Sequence, residues 1–347
     1  MLLLCTLPVR AIDEDWGLGE LKENTPAEAE EYLGDAEADS DAQTLFSAVF
    51  RNAGEKLRTQ LKDELRFCVV LFSVVMLSSV AELSDVSGRA RQAIRLSSVL
   101  SVATAGVTEL NSFTMEALET LQQLSDYSRS LLLVLAGTAS FSGAVASSAA
   151  KCAATALVMD LLLTAGTSLV APAICGYTAL SIADAAVGNR VLKSASGLMK
   201  SLCTLTLTAL ATAFTLWLGF ISSLSGSAEA AGVKLTRTLL NNGLPLVGRL
   251  MSDAASSLSA AAGLVRASAG VFGLAVVLSL CLGSVIRLGC RYLAFRLTAV
   301  LCRCCGDGAL TGFLEDLSSV YAMLLSLLGT GAICVFMAVW SLMRITI

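Results

Sequence analysis

Residues 229–296 read EAAGVKLTRTLLNNGLPLVGRLMSDAASSLSAAAGLVRASAGVFGLAVVLSLCLGSVIRLGCRYLAFR, and the order of events along this stretch decides the fold. It opens on a charged amphipathic piece, with Glu229, Lys234 and Arg237 set against Val233, Leu235, Leu239 and Leu240. Asn241-Asn242-Gly243 and Leu244-Pro245-Leu246-Val247-Gly248 follow. Gly reaches φ > 0 and Pro fixes φ while lacking an N–H, so this spacing predicts an elbow between two helices. Ser252-Asp253 then caps or interrupts the next helical run. From Ala267 to Ile286 the chain carries no charge. At about 1.5 Å per residue that run is long enough to cross a hydrocarbon core of about 30 Å.

The composition agrees with a chain that lives in lipid. Hydrophobic residues make up 55% and charged residues 15%, and the mean hydropathy is +0.73. Soluble domains average about 45–50% apolar and about 25% charged, so the balance points to a polytopic membrane protein. The apolar bulk comes from Leu, Ala and Val interleaved with Ser and Gly, small residues that let helices approach closely where packing drives association. The reading is all-α: a polytopic helical membrane protein with about six to eight transmembrane helices plus amphipathic or re-entrant helices.

Outward from the elbow, the chain divides into three parts. Residues 1–41 are acidic: Asp13, Glu14, Asp15, Glu20, Glu23, Glu28, Glu30, Glu31, Asp35, Glu37, Asp39 and Asp41 stand against Arg10 and Lys22. Such a segment cannot bury enough apolar surface to fold alone and is expected to be disordered, or to serve as a docking tail for a basic partner. Within it, residues 1–11 are apolar but too short for a complete signal peptide and could be the remnant of one. Residues 42–66 predict an amphipathic helix, with Leu45, Phe46, Val49, Phe50, Leu57 and Leu61 near helical spacing, suited to a membrane surface. Residues 67–347 form the multi-span domain, with the amphipathic helix and elbow at 229–266. Its expected apolar runs are Phe67–Val80 and Leu96–Val107 (each a span, or together a hairpin), Ser130–Ala150, Cys152–Ile182, Ser201–Leu224, Ala267–Ile286 and Ser318–Leu342.

Several chemistries are excluded or unsupported. The chain has no His, so it has no His general base, no Ser-His or Cys-His nucleophile and no His-ligated metal. No Gly-x-x-x-x-Gly-Lys-Ser/Thr occurs, so any ATP is hydrolysed by another polypeptide. Basic residues are not interleaved with aromatics, which gives nucleic-acid binding no support. No cofactor is expected and the chain is read as a non-enzyme, although Ser/Lys and Asp/Asp chemistry stay open. Of the 11 Cys, most lie in apolar runs as small hydrophobes. Cys302, Cys304 and Cys305 cluster, but no second pair stands at zinc spacing.

Two intramembrane features draw attention. Asp160 lies within Leu157-Val-Met-Asp160-Leu-Leu-Leu, and an unpaired carboxylate at mid-membrane costs about 2.5–3.5 kcal/mol on insertion scales. It is either a proton or ion site, a contact for a partner's cation, or a residue facing a neighbouring helix or wet cavity. Pro172 is expected to kink the same segment. Arg287, Arg291 and Arg296 recur near helical spacing: they line an aqueous path, bind lipid phosphates or snorkel to an interface.

The pattern Glu229, Lys234-x-x-Arg237, Gly243-Leu-Pro245-Leu-Val-Gly248, Ser252-Asp253, then Gly270 at the head of an apolar helix resembles the stage III sporulation protein AE family. The departures are Glu229 for Asp, Arg237 for Lys and Arg249 for a small residue. The resemblance implies an integral membrane component of the channel or secretion complex between mother cell and forespore, in the mother-cell-derived membrane around the forespore. Its implied partners are other stage III sporulation A membrane proteins and a secretion-type ATPase. A homo-oligomer is compatible with it. Glu229, Lys234, Arg237, Gly243, Pro245, Gly248, Ser252 and Asp253 would form the partner surface. The alternative, resting on Asp160 and Pro172, is a stand-alone ion- or proton-coupled secondary transporter.

Overall fold

The computed structural model describes residues 21, 25–33, 42–83, 88–140, 145–187, 190–243, 247–305 and 308–343; within 221–261 it describes the backbone alone. The helices are α1 (Ala27–Leu33), α2 (Ala42–Leu83), α3 (Gly88–Val107), α4 (Leu110–Ser140), α5 (Val145–Ala165), a π-turn at Gly166–Val170, α6 (Ala171–Val187), α7 (Arg190–Gly243), α8 (Val247–Cys305) and α9 (Gly308–Met343). No strand occurs among the described residues. This is the all-α architecture expected of a chain whose backbone polar groups must be satisfied without water.

Helix α8 is the central element, packed against α9, α2, α4, α1 and α7. A register ladder fixes its antiparallel partner α4. The Arg266 guanidinium donates to the Thr138 carbonyl at 3.1 Å, Gly273 receives Leu131, and the Thr120 and Ser284 hydroxyls meet at 2.7 Å. Arg287 pairs with Glu116 at 3.0 Å. Gly273 is required by this approach, since a Cβ there would overlap three Leu131 atoms. Helix α9 also runs antiparallel to α8, with Met343 over Gly270 and Tyr321 stacked on Phe295 at 5.5 Å. Phe67 and Phe113 meet that pair edge-on at 5.5 Å and 5.6 Å. The Tyr321 hydroxyl donates to the Gly106 carbonyl at 3.3 Å, as a buried phenol should.

Five stretches among the described residues are long and apolar enough to cross a membrane: Gln92–Ala139, Ser148–Val187, Val191–Phe220, Ala262–Cys304 and Leu310–Met343. The first contains the α3–α4 junction at Thr108–Glu109. The expected span Ser130–Ala150 is divided: α4 ends at Ser140 and α5 begins at Val145. Between them the sequence carries Ser142-Gly143, a turn signal hidden in an apolar run. The amphipathic stretch 42–66 and the apolar run Phe67–Val80 are one helix, α2, which packs on α8 and on α3. Likewise the amphipathic piece before the elbow continues the span from Ser201 as α7, and the break falls between Gly243 and Val247. Within the acidic segment, residues 27–33 form α1, seated on α2 and α8.

Pro172 stands in the first turn of α6, directly after the π-turn. It cannot donate to residue 168, and its ring crowds that carbonyl. The wider turn relieves the crowding, with the Ala171 N–H reaching back to the Gly166 carbonyl. The same turn brings Gly166 against α4 and α9, where a Cβ would come within 2.8 Å of Leu118 and 3.3 Å of Leu327.

Candidate functional site

The apolar run of α8 ends at Ile286, and Arg287 and Arg291 follow one turn apart. Four residues of helix place both guanidinium groups on one face. That face is covered by α2 and by the α3–α4 junction. Arg291 is buried: its Nε donates to Glu64 Oε1 at 3.1 Å and its Nη2 to Glu109 Oε2 at 2.6 Å. Phe67 and Phe113 flank the guanidinium, their ring centroids 4.1 Å and 5.3 Å away. A planar cation held between aromatic faces and two carboxylates uses the geometry in which Arg outperforms Lys. Arg287 pairs with Glu116, which also accepts from the Ser284 hydroxyl at 3.4 Å.

Beside this network is a cavity of about 750 Å³, bounded by Tyr32 of α1, by α2 from Glu55 to Glu64, by Glu109, Ser112 and Phe113, and by Gly283, Arg287 and Arg291 of α8. Tyr32 packs over Gly283, where a Cβ would approach its hydroxyl to 3.1 Å. The Asn52 side-chain amide donates to the Tyr32 carbonyl at 2.9 Å, and Lys56, paired with Glu31, lies 4.1 Å over the Tyr32 ring. Burial raises the Tyr32 phenol above its ordinary value despite Lys56. Glu64 is also raised, because burial outweighs the pull of Arg291. Glu64 Oε2 and Arg291 Nη1 are buried without a hydrogen-bond partner. An acceptor and a donor at one wall can hold water or a group that both donates and accepts.

Among the described residues, no group of three or more His, Cys, Asp or Glu could hold a metal.

The residues singled out in the sequence fall in several places. Asp160 is paired with Arg129 of α4 on the outer surface, both side chains about half exposed (58% and 46%). It has a neighbouring-helix partner, and it is remote from the cavity in the register of α4 and α8. Pro172 accompanies the π-turn. Arg291 is buried and paired, which corrects the snorkelling reading for that residue: carboxylates of α2 and of the α3–α4 junction meet it in the bundle. Arg287 lines the cavity, and Arg296 is exposed. Lys151 is buried, donating to the Ser341 carbonyl at 3.2 Å. Cys302 is buried and Cys304 exposed. Of the elbow residues, Gly243 closes α7 and Gly248 lies in the first turn of α8, while Pro245 lies outside the described residues. The side chains of Glu229, Lys234, Arg237, Ser252 and Asp253 also lie outside them, as do residues 1–11.

Sequence reading missed Glu64, Glu109 and Glu116. Each belongs to a stretch that reads as polar or amphipathic, where a carboxylate needs no explanation. The available signal was Arg291 itself, a cation at the end of an apolar helix for which no acid stands within one turn.

The family model described as Stage III sporulation protein AE matches residues 28–346. A curated relative, the stage III sporulation protein AE of Bacillus subtilis (strain 168), is 25% identical over 288 residues, covering 80% of this chain and 68% of the relative. No solved structure matches.

Proposed function

The chain belongs to the stage III sporulation protein AE family, and from that membership we propose that it is a non-enzymatic integral membrane component of the mother cell–forespore channel or secretion complex needed for endospore formation. The observation that carries the reading is the family match across nearly the whole chain, joined to five stretches able to cross a bilayer. A sporulation role and a membrane-embedded helical body follow directly from those two findings. The finer reading places the protein in the mother-cell-derived membrane around the forespore. Its partners there are other stage III sporulation A membrane proteins and a secretion-type ATPase. The elbow from Glu229 to Asp253 is the surface offered to them, because it joins two spans through a charged amphipathic segment. The chain carries no P-loop and no His, so energy coupling falls to a partner.

Deleting the gene in its native host tests the role. The proposal expects sporulation to stop after engulfment and to be restored by the intact chain in trans. Normal spore yield in the deletion strain would contradict it.

A second reading, an ion- or proton-coupled secondary transporter, is supported by one observation: the buried Glu64 carboxylate, raised above its ordinary range, has one oxygen without a partner beside the cavity. Proton coupling there requires that Glu64→Gln abolish transport while the protein still folds. Full activity of that variant would remove this reading.

A further inference from the structure

The two sides of the bundle differ at one and the same height. Gly331 of α9 is in contact range of Leu121 and Leu124 of α4 and Met159 of α5, which puts these residues at one level. On the α9 side of that level, Ile333 and Phe336 are exposed. Helix α7 adds Leu216 and Trp217, next to Thr215, whose hydroxyl lies against Met337 at 3.9 Å. On the α4–α5 side five polar positions are exposed, Glu119, Gln122, Asp126, Arg129 and Asp160, while Leu157 and Leu161 are exposed beside Asp160 and Leu133 beyond Arg129. All five polar positions fall inside stretches long and apolar enough to cross the membrane.

Exposed Thr side chains on α7 return their hydroxyls to carbonyls four residues back, so they can face lipid. Carboxylates have no such escape. Gln122 donates to Asp126 at 3.0 Å and Arg129 pairs with Asp160, which leaves the face with three acids against one base. Lipid cannot solvate this surface: a charged side chain at the bilayer centre costs about 2.5–3.5 kcal/mol on insertion scales. A partner helix packed over it would have to bury the surplus carboxylates, at a cost of several kcal/mol per ion. Water solvates them at no such cost.

The polar stripe also runs toward the cavity. Ser112 lines the cavity and is exposed on α4; the exposed Met115 follows it, and Glu119, Gln122, Asp126 and Arg129 continue the same face at helical spacing. From Ser112 to Arg129 the track rises about 25 Å, most of a hydrocarbon core. We infer that the α4–α5 face lines a water-filled, cation-preferring path that begins at the Arg291 cavity and ends at the Arg129–Asp160 pair. The inference needs only that the chain spans a bilayer; it does not depend on membership in any complex.

Cysteine accessibility tests it on the full chain in native membranes. Gln122→Cys and Asp126→Cys are compared with Leu216→Cys and Phe336→Cys. The probe is a charged, membrane-impermeant methanethiosulfonate, with sites assigned by mass spectrometry against the native cysteines. The thiolate is the reactive form and needs water, so labelling at 122 and 126 is expected to be at least about tenfold faster than at 216 and 336. Equal, slow labelling at all four sites would overturn the inference. So would protection at 122 and 126 in membranes that disappears in detergent, which would mark a covering helix. Retained assembly or sporulation activity of each variant separates a folded protein from a failed one.

Discussion

Arg291 of α8 donates to Glu64 of α2 across 227 positions of sequence, at 3.1 Å, with both side chains about nine-tenths buried. The contact joins the amphipathic start of α2 to the central helix, and Glu109 closes the α3–α4 junction onto the same guanidinium. Removing one partner of such a buried pair leaves an uncompensated charge, whereas the intact pair adds little beyond its own desolvation. Arg291→Ala is therefore expected to cost about 3–5 kcal/mol. Glu64→Gln, which leaves Glu109 on the guanidinium, is expected to cost less. Thermal unfolding in detergent, followed by circular dichroism, ranks the two; equal losses would contradict the arrangement.

The pH dependence has a definite sign. Burial raises Glu64 above its ordinary carboxylate value in the folded protein. The folded state therefore binds this proton more tightly than the unfolded chain does. Its contribution to stability is fully present below the unfolded value and is lost as pH rises through the raised folded value. The transition midpoint of the intact protein should fall over that window, and Glu64→Gln should flatten this part of the profile. A midpoint that rises across the window in the intact protein, and is flattened by the substitution, would reverse the assignment.

Close packing at Gly273 gives a third test. A side chain there must displace Leu131 of α4, including its Cγ at 2.9 Å. Gly273→Val is expected to cost about 1–3 kcal/mol through overpacking. Adding Leu131→Ala should recover part of the loss, because the pair is coupled through contact. Purely additive effects would mean that α4 and α8 do not meet at this point.

Asp160 discriminates between surroundings. Its side chain and that of Arg129 are about half exposed. If they face water, Asp160→Asn changes stability by less than about 1 kcal/mol, as exposed pairs do. A loss of about 3 kcal/mol or more would instead put Arg129 in a desolvated environment. Unfolding midpoints in detergent and in lipid nanodiscs, compared with those of the intact protein, supply the number.

The sequence discloses the local features well. The uncharged run Ala267–Ile286 lies wholly inside α8, and the Asn-Asn-Gly and Leu-Pro signals lie where α7 ends at Gly243 and α8 begins at Val247. Pro172 foretells an irregularity, although the π-turn that absorbs it precedes the proline. What stays hidden is long-range. Arg291 meets Glu64 and Glu109 at separations of 227 and 182 residues, and no periodicity links them. The division of Ser130–Ala150 is obscured because the apolar character of the sequence does not drop between Ser140, where α4 ends, and Val145, where α5 begins. Asp160 reads as an isolated intramembrane acid because its partner, Arg129, lies 31 positions earlier in a stretch that reads as polar.

Co-purification from sporulating cells tests the central claim most directly. A tagged full-length chain is solubilised in gentle detergent and its companions are identified by mass spectrometry. Recovery with other stage III sporulation A membrane proteins and a secretion-type ATPase is expected. Recovery as a lone monomer or homodimer, from membranes in which those proteins are present, would contradict it.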